Sequence, residues 1–274
     1  MNEMLSTAKE LTERLPVASD AACAQVRAGQ MPEPVLPGAH RVELGGTAWA
    51  GHLPKDVSVL SWRMQGCLHP EATADLLAEE NPDVLLLTEM DVGCDRSGQK
   101  HMPYQLAGSM GMAYAFGAYG FEPGTEAAPN AAGWQGPAVL SSVPPLRAAV
   151  IRLEDMQASA GSLQGAVAVA MLVQGADYPV CLVSAQMDPA RHSATLETAL
   201  QEFAPAHAVL MGVTGLDTDR FDALEAVGFQ TVADGSAALA SRGARMSQVA
   251  TPDALRPGPG AVSPYAPLSA LMSH

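Results

Sequence analysis

The sequence predicts a layered α/β sandwich, and three observations lead to that prediction. Apolar, strand-like segments recur along most of the 274-residue chain. Only a few segments show the spacing of an amphipathic helix, and loops rich in Gly and Pro separate the elements. A hydrophobic content of 48% is enough for a sizeable core. Many strands with few helices favour sheets and helices stacked in layers.

The N-terminal part of the chain is predicted to form a helical segment followed by a strap. Residues 2–29 are predicted to be helical because apolar side chains over residues 5–15 recur at helical spacing. Pro16 interrupts this segment, and a second short helix is predicted over residues 18–28. Residues 31–56 are rich in Pro and Gly and form the strap. We therefore separate an N-terminal segment, residues 1–56, from an α/β domain, residues 57–274.

Strands and helices alternate in the first half of the α/β domain. The segment beginning at Val57 alternates as a half-buried strand does, and Pro70 opens a helix. The continuous apolar run from Val84 is typical of a strand buried on both faces. The predicted elements are strands over 57–62, 84–88 and 113–117, and helices over 70–80 and 99–112.

The second half is predicted to begin with a long loop over residues 118–136. Strands then dominate, and Pro189 most plainly marks a helix start, with Asp188 as its N-cap. The predicted elements are strands over 137–142, 147–153, 165–173, 179–185, 207–211, 229–233 and 266–272, and helices over 190–203 and 217–227.

The charge balance argues against a nucleic-acid partner, and the distribution of apolar residues argues against a membrane span. Fifteen basic residues face 29 acidic ones, which gives a net charge of −14. Nucleic-acid binding depends on neutralising phosphates with Lys and Arg, so we expect no nucleic-acid partner. No stretch reaches the roughly 18 apolar residues of a membrane span, and the N-terminus lacks the apolar core of a secretory signal. We expect a cytoplasmic protein with no membrane contact.

Seven landmarks occur in an order that resembles the endonuclease/exonuclease/phosphatase family across residues 55–272. They are SWRMQ at 61–65, LLTEMD at 86–91, RSGQKH at 96–101 with LA at 106–107 and GMAY at 111–114, GPAVLS at 136–141, LVSAQM at 182–187, LMGVTG at 210–215 and SPY at 263–265. The resemblance implies a four-layered α/β sandwich of the endonuclease/exonuclease/phosphatase type, with two packed mixed sheets flanked by helices.

The resemblance also implies a metal-dependent phosphoesterase site, but this chain departs from it. In the family, carboxylate and amide oxygens hold a divalent metal, usually magnesium, a His polarises the phosphate, and an Asp–His pair activates water. Of that set only Glu89 remains. Losing these groups together removes the mechanism, so we expect no hydrolysis by the family route. The substituted positions are Arg63, Pro137, Gln186, Val213, Gly215, Pro264 and Tyr265.

The candidate site residues are the polar side chains left in this altered cleft, Arg63, Glu89, Gln186 and Tyr265. Glu89 is either a surviving ligand or the partner of Arg63, and the ion pair is the favoured interpretation. The other three either bind a new ligand or are tolerated replacements. Two further candidates, Arg96 and His101, either contact a ligand from their loop or shape a local turn and a helix start.

Three functional hypotheses follow. The first is a non-catalytic binding or scaffold protein whose N-terminal segment docks a protein partner or a second copy of the chain. The alternative is an enzyme that re-uses the cleft for metal-independent chemistry on a small molecule. A second alternative retains residual metal-dependent phosphodiesterase or phosphatase activity. Only this last hypothesis requires magnesium, and the others require no cofactor.

Overall fold

Two mixed β-sheets packed face to face form the centre of the fold. The computed structural model describes residues 5–7, 15, 18–32, 36–124, 132–159, 162–205, 207–214, 221–234, 237–252 and 267–273. The strands are β1 (Leu5–Thr7), β2 (Val42–Gly46), β3 (Asp56–Gly66), β4 (Val84–Val92), β5 (Ala113–Gly117), β6 (Gly120–Glu122), β7 (Gly133–Ser141), β8 (Pro145–Ser159), β9 (Ser162–Gln174), β10 (Pro179–Gln186), β11 (Ala208–Thr214), β12 (Gln230–Asp234), β13 (Ala237–Arg242), β14 (Arg245–Ala250) and β15 (Leu268–Ser273).

The strand order defines a first and a second sheet. The first sheet runs β14-β15-β3-β4-β7-β5-β2, and the second runs β12-β13-β11-β10-β9-β8-β1. The pairs β3–β4 and β10–β11 are parallel, whereas the other pairs are antiparallel. Strand β6 pairs with β7 of the first sheet and with β9 of the second. The hydrogen-bonded ladder therefore passes without a break from one sheet to the other.

The inner faces of the two sheets meet in an aliphatic core. Leu86 of the first sheet and Leu182 of the second are fully buried in the same cluster. A Cβ atom at Gly212 in β11 would lie 2.6 Å from Ser61 Oγ and 2.7 Å from Leu86 Cβ. Glycine at this position therefore allows the two sheets to approach closely. This explains why a glycine of the LMGVTG landmark matters for the fold and not only for the site.

Helices cover the outer faces of both sheets. Their bounds are α1 (Asp20–Arg27), α2 (Pro70–Glu80), α3 (Met102–Met110), α4 (Pro189–Phe203) and α5 (Asp222–Glu225). Leu77 of α2 and Leu106 of α3 pack with Leu85 against the first sheet. Leu196 of α4 packs with Val183 against the second sheet. The result is four layers, helix–sheet–sheet–helix, as the sequence predicted.

Local sequence signals place the helices that position the site. Pro70 is the first residue of α2, and Asn81 ends that helix in a left-handed conformation with φ 44°. Pro189 begins α4, and Asp188 caps it because its Oδ1 accepts a hydrogen bond of 3.0 Å from the Ala190 N–H. These predictions over 70–80 and 190–203 are confirmed. None of the helices that the structure describes is long and apolar enough to cross a membrane.

The N-terminal segment contributes strands, which the sequence did not predict. The helix predicted from residue 2 to Pro16 is wrong at residues 5–7, because β1 pairs with β8, while residues 2–4 and 8–14 lie outside the described residues. The predicted strap contains β2, which pairs with β5. Glu43 in β2 accepts hydrogen bonds from the Leu15 N–H and the Tyr114 hydroxyl. The segment is thus tied to both sheets, whereas a domain boundary at residue 56 stays a prediction.

Three further differences have physical causes. The predicted loop over 118–136 contains β6 and the beginning of β7, which are Gly- and Trp-containing segments held by their strand partners. Strands β13 and β14 were not predicted, since β13 is rich in Ala and the side chains of β14 are mostly exposed. Helix α5 is shorter than the predicted 217–227, and residues 217–220 lie outside the described part of the chain.

Candidate functional site: a polar cleft at the strand ends

The candidate site lies where β3, β4, β10 and β11 end at one edge of the sandwich. Arg63 pairs with Thr88 across the parallel β3–β4 ladder, and Gln186 pairs with Thr214 across β10–β11. Thr214 Oγ1 lies 2.8 Å from Thr88 Oγ1 and 2.9 Å from Gln186 Oε1. These hydroxyl contacts join the two sheets beside Glu89. The structure therefore brings three of the four predicted site residues together.

Arg63 and Glu89 form an ion pair at the centre of this edge. Arg63 Nη2 lies 2.8 Å from Glu89 Oε1, and the two side chains are 18% and 10% exposed. The ion pair favoured from the sequence is therefore confirmed. The guanidinium group lies directly against the carboxylate that the resemblance assigns to metal binding.

The backbone at Glu89 has a strained conformation. Glu89 has φ 57°, and the β4–β7 register shifts between Leu87 and Met90 at a bulge. A left-handed conformation at a non-glycine residue costs roughly 1–3 kcal/mol and persists only where surrounding contacts enforce it. Bulges redirect side chains next to functional sites. Here the bulge places the Glu89 side chain on the wall of a cleft.

The cleft beside Glu89 has a volume of about 430 Å³ and is lined mostly by polar residues. Its walls come from the first sheet, the second sheet and the beginning of α4, so it lies between elements that the fold holds in fixed positions. The polar side chains on its walls are Glu89, Tyr119, Gln135, Glu154, Gln164, Gln186, Asp188, Arg191, His192 and Thr214.

Tyr119 and Gln135 form one wall of the cleft. The Tyr119 hydroxyl donates to Gln135 Oε1, and Gln135 Nε2 donates to Asp91 Oδ1 over 3.3 Å. Burial raises the pKa of Tyr119 well above its ordinary value. The phenol therefore stays protonated and serves as a hydrogen-bond donor.

His192 forms the opposite wall with Glu154 and Arg191. The His192 Nδ1 accepts a hydrogen bond of 3.2 Å from the Asp188 N–H, so in the neutral ring the proton lies on Nε2. That Nε2 is 3.9 Å from Glu154 Oε2, while Arg191 Nη2 is 2.9 Å from Glu154 Oε1. Burial lowers the pKa of His192, and the Glu154 carboxylate opposes this only in part. The imidazole is therefore neutral at neutral pH.

The sequence did not identify this wall as a functional feature. Glu154 lies 37 residues before Arg191 and on a different element. The predicted strand over 147–153 ended just before it. No spacing rule connects a residue near the middle of a strand with the first turn of a helix packed across its sheet. The pairing becomes visible only in the folded chain.

Arg96 and His101 support loops and lie outside the cleft walls. Arg96 binds Asp91 through two hydrogen bonds, Nη2 to Oδ1 at 2.6 Å and Nε to Oδ2 at 2.7 Å. His101 Nδ1 accepts from the Tyr104 N–H at the start of α3, and its Nε2 lies 2.6 Å from Glu43 Oε1. These contacts fit the turn and helix-start interpretation. Arg96 reaches the cleft only indirectly, because Asp91 also binds Gln135.

Tyr265 lies outside the described residues, as do Gly215 and Pro264. The expectation that Tyr265 contributes to the cleft therefore stays a prediction.

The described donor groups at the strand ends do not by themselves fit a magnesium ion. Magnesium requires near-octahedral oxygen coordination, and only Glu89 offers a carboxylate of the family set. That carboxylate already contacts the Arg63 guanidinium, whose positive charge repels a cation at the same place. Within the described part of the chain, no three His, Cys, Asp or Glu side chains are grouped to hold a metal ion. No step of a mechanism is therefore assigned to a metal.

Comparison with solved structures identifies the fold. The endonuclease/exonuclease/phosphatase from Beutenbergia cavernae is similar over 80% of this chain and 71% of its own, with a TM-score of 0.59 and 10% sequence identity. The corresponding protein from Bacteroides vulgatus gives 0.58 and 10% over 80% of this chain and 98% of its own. The human Nocturnin catalytic domain, solved with a bound sulfate anion, gives 0.55 and 13% over 85% and 97%.

The chain therefore has the fold of endonuclease/exonuclease/phosphatase structures. The sequence itself matches no protein-family model and no curated protein. The predicted resemblance is confirmed at the level of the fold, and activity has to be argued from the cleft.

Proposed function

We propose that this chain is a binding protein that holds a small molecule in the cleft beside Glu89 and does not hydrolyse phosphate esters through a metal ion. The observation that carries the proposal is the Arg63–Glu89 ion pair at 2.8 Å, whose Glu89 side chain lines a cleft of about 430 Å³. The ion pair places a positive charge where the resemblance expects a metal, and the cleft beside it has room for a ligand.

Two features support retention of the cleft for binding. Its volume lies within the range of about 300–1,000 Å³ that small-molecule sites occupy. The backbone at Glu89 is also strained, and the register is irregular in the β3–β4 and β4–β7 ladders beside it. Strain of this kind has a stability cost, and a site without a role has no reason to keep it.

Loss of metal chemistry is supported by the groups that face the cleft. Gln186 cannot carry a positive charge as an imidazole does, and Thr214, which lines the cleft at the end of β11, has a hydroxyl and no carboxylate. Val213 lies in the helix-facing core and offers no acceptor to the cleft. Each missing acid or base typically lowers a rate by about 10²–10⁴-fold, and here several are missing together.

Hydrolysis of bis-p-nitrophenyl phosphate with magnesium or manganese ions tests the negative half of the proposal. We expect no metal-dependent rate above background with the wild-type chain. A metal-dependent rate that Glu89→Gln abolishes would overturn the proposal and support residual phosphoesterase activity.

Thermal unfolding in the presence of a small-molecule library tests the positive half. We expect stabilisation by at least one class of compound, and we expect Gln186→Ala to weaken it because Gln186 lines the cleft. Gln201→Ala is the matched control, since Gln201 is exposed on α4 outside the cleft. A library without a stabilising compound, or equal effects of the two variants, contradicts binding in the cleft.

A second candidate function, metal-independent chemistry in the same cleft, is favoured by the His192–Glu154 pair. A neutral imidazole and a carboxylate on one wall are groups that accept and donate protons. Conversion of a bound compound that is lost in His192→Asn, with binding retained, supports this function. Binding without conversion supports the first.

The hypothesis of a protein partner docking on residues 1–56 stays a proposal. Strands β1 and β2 belong to the sheets, so deleting this segment would remove parts of the fold. Light scattering on the full-length chain at increasing concentration is the appropriate test of self-association. A mass that stays constant at one chain contradicts it.

A further inference from the structure

We infer that the ligand of this cleft is a neutral polyhydroxylated molecule, a sugar or a sugar alcohol, held through its hydroxyl groups. The inference rests on the proposed function, because it names the class of molecule that the cleft binds. It follows from the charges on the cleft walls and from the balance of hydrogen-bond donors and acceptors.

The charges on the walls disfavour an anionic ligand. Among the described residues of the cleft walls, Glu89, Glu154 and Asp188 are acidic and Arg191 is the only arginine. Arg191 already pairs with Glu154 at 2.9 Å, and burial keeps His192 neutral. The whole chain adds a field of net charge −14. A phosphate or carboxylate group would therefore meet repulsion that the described cations of the walls, already paired with carboxylates, do not offset.

The donors on the walls disfavour a simple cation. The Gln186 oxygen lies against Thr214 at 2.9 Å, so the amide NH₂ is the part of Gln186 available to donate. His192 presents Nε2–H, since its Nδ1 accepts from the Asp188 backbone. An ammonium group only donates and would leave these donors without acceptors.

A hydroxyl group can bind both the hydrogen-bond acceptors and the hydrogen-bond donors on the cleft walls. It donates one hydrogen bond and accepts others, whereas phosphate oxygens only accept. The carboxylates of Glu89 and Glu154 are charged acceptors, which bind neutral hydroxyls more strongly than uncharged acceptors do. Glu154 is accompanied by Arg191 Nη2 at 2.9 Å, so an acceptor and a donor lie side by side on this wall. Adjacent hydroxyls of a sugar present the complementary arrangement.

The site is arranged so that its polar groups are positioned before a ligand arrives. Glu89 is held by Arg63, Gln186 by Thr214, and Glu154 by Arg191. Groups that are already oriented lose little conformational freedom on binding, which favours a small ligand with many weak contacts.

Nuclear magnetic resonance titration of the full-length chain tests the inference. The probes are D-glucose, D-ribose, sorbitol and myo-inositol, with orthophosphate and putrescine as anionic and cationic counterparts. We expect a saturable shift of the Gln186 side-chain amide and the His192 ring with at least one polyhydroxylated probe, and none with the two ions. Shifts that do not saturate, or that miss these two residues, overturn the inference.

Two variants locate the binding. We expect Glu154→Gln to weaken the probe about tenfold or more, as loss of a hydrogen bond to a charged group does. Glu202→Gln is the matched control because Glu202 is exposed on α4 outside the cleft. Gln164→Ala, an exposed cleft residue, repeats the test without touching an ion pair. Unchanged affinity in both cleft variants overturns the inference.

The outcomes separate this inference from the proposed function. If orthophosphate or putrescine saturates the Gln186 and His192 signals and no polyhydroxylated probe does, the ligand class is wrong while binding in the cleft stands. If neither these probes nor any library compound acts through the cleft, both fail.

Discussion

The Arg63–Glu89 ion pair makes the most informative prediction, because it should couple two strands at the centre of the cleft. Two unit charges about 4 Å apart interact by about 4 kcal/mol at an effective dielectric constant of 20. The nitrogen–oxygen distance of 2.8 Å is compatible with that separation, and 18% and 10% exposure admits some solvent screening. We therefore expect a coupling energy of about 2 kcal/mol, inside the range for contacting residues.

A double-mutant cycle measures this coupling directly. The variants are Arg63→Gln, Glu89→Gln and the double variant, with free energies of unfolding from urea denaturation. We expect Arg63→Gln to be the more destabilising single change, since it leaves the less exposed Glu89 carboxylate without its cation. The double variant should recover part of the loss, because two neutral amides can still form a hydrogen bond.

An exposed ion pair provides the matched control. Lys55 and Asp177 lie 3.2 Å apart, but their side chains are 70% and 55% exposed. Surface pairs of this kind typically couple by roughly 0.5 kcal/mol or less. If the Arg63–Glu89 coupling does not exceed that of Lys55–Asp177, the pair does not organise the cleft and the physical argument for the proposed function loses its basis.

The other predictions concern packing, protonation and thiol reactivity. In urea denaturation, Gly212→Ala should lower the free energy of unfolding by about 1–3 kcal/mol, because the added Cβ would enter the space between the sheets. Gly108→Ala in α3 should raise the free energy of unfolding by roughly 0.5–1 kcal/mol, because the added Cβ would meet no atom within 4 Å. The pKa of His192 is lowered in the folded chain, so the free energy of unfolding should fall as the pH drops below about 6.5, the pKa of histidine in the unfolded chain. His192→Asn should make the free energy of unfolding less dependent on pH in this range. An unchanged pH profile in the variant contradicts the burial argument. The four cysteines are free and buried, and burial raises the pKa of Cys67 and Cys181 to about 12. Iodoacetamide should therefore label no cysteine rapidly in the native chain and all four after unfolding, as read by mass spectrometry. Fast labelling of the native chain would refute this.

The parts of the fold that sequence reasoning predicts are those with strong local patterns. The run from Val84 alternates in the structure between the inter-sheet core, through Leu86, and the helix-facing core, through Leu85. Continuous apolar character was therefore the correct signal for a strand buried on both faces. In contrast, β1 has only three residues, and its extended state depends on β8. Pairing of this kind is decided by the partner and leaves no signal in the strand itself.

The same distinction applies to the site. Arg63 and Glu89 follow neighbouring strands, so the predicted order of strands was enough to place them together. The wall formed by Glu154 and His192 depends on how α4 packs across the second sheet, and no local pattern reports that packing. The order of landmarks gives the location of the cleft, while its donor and acceptor arrangement required the folded structure.

Strand β6 has a mechanical consequence for recognition. By pairing with both β7 and β9, this strand joins the two sheets through backbone hydrogen bonds at the side where the cleft opens. A hinge motion that closed one sheet over the other would break the backbone hydrogen bonds of β6 with β7, with β9, or with both. We therefore expect the opening of the cleft to keep a nearly constant width. Diffusion and side-chain rotation on nanosecond timescales, rather than a slow closing motion, should then govern how a ligand enters and leaves.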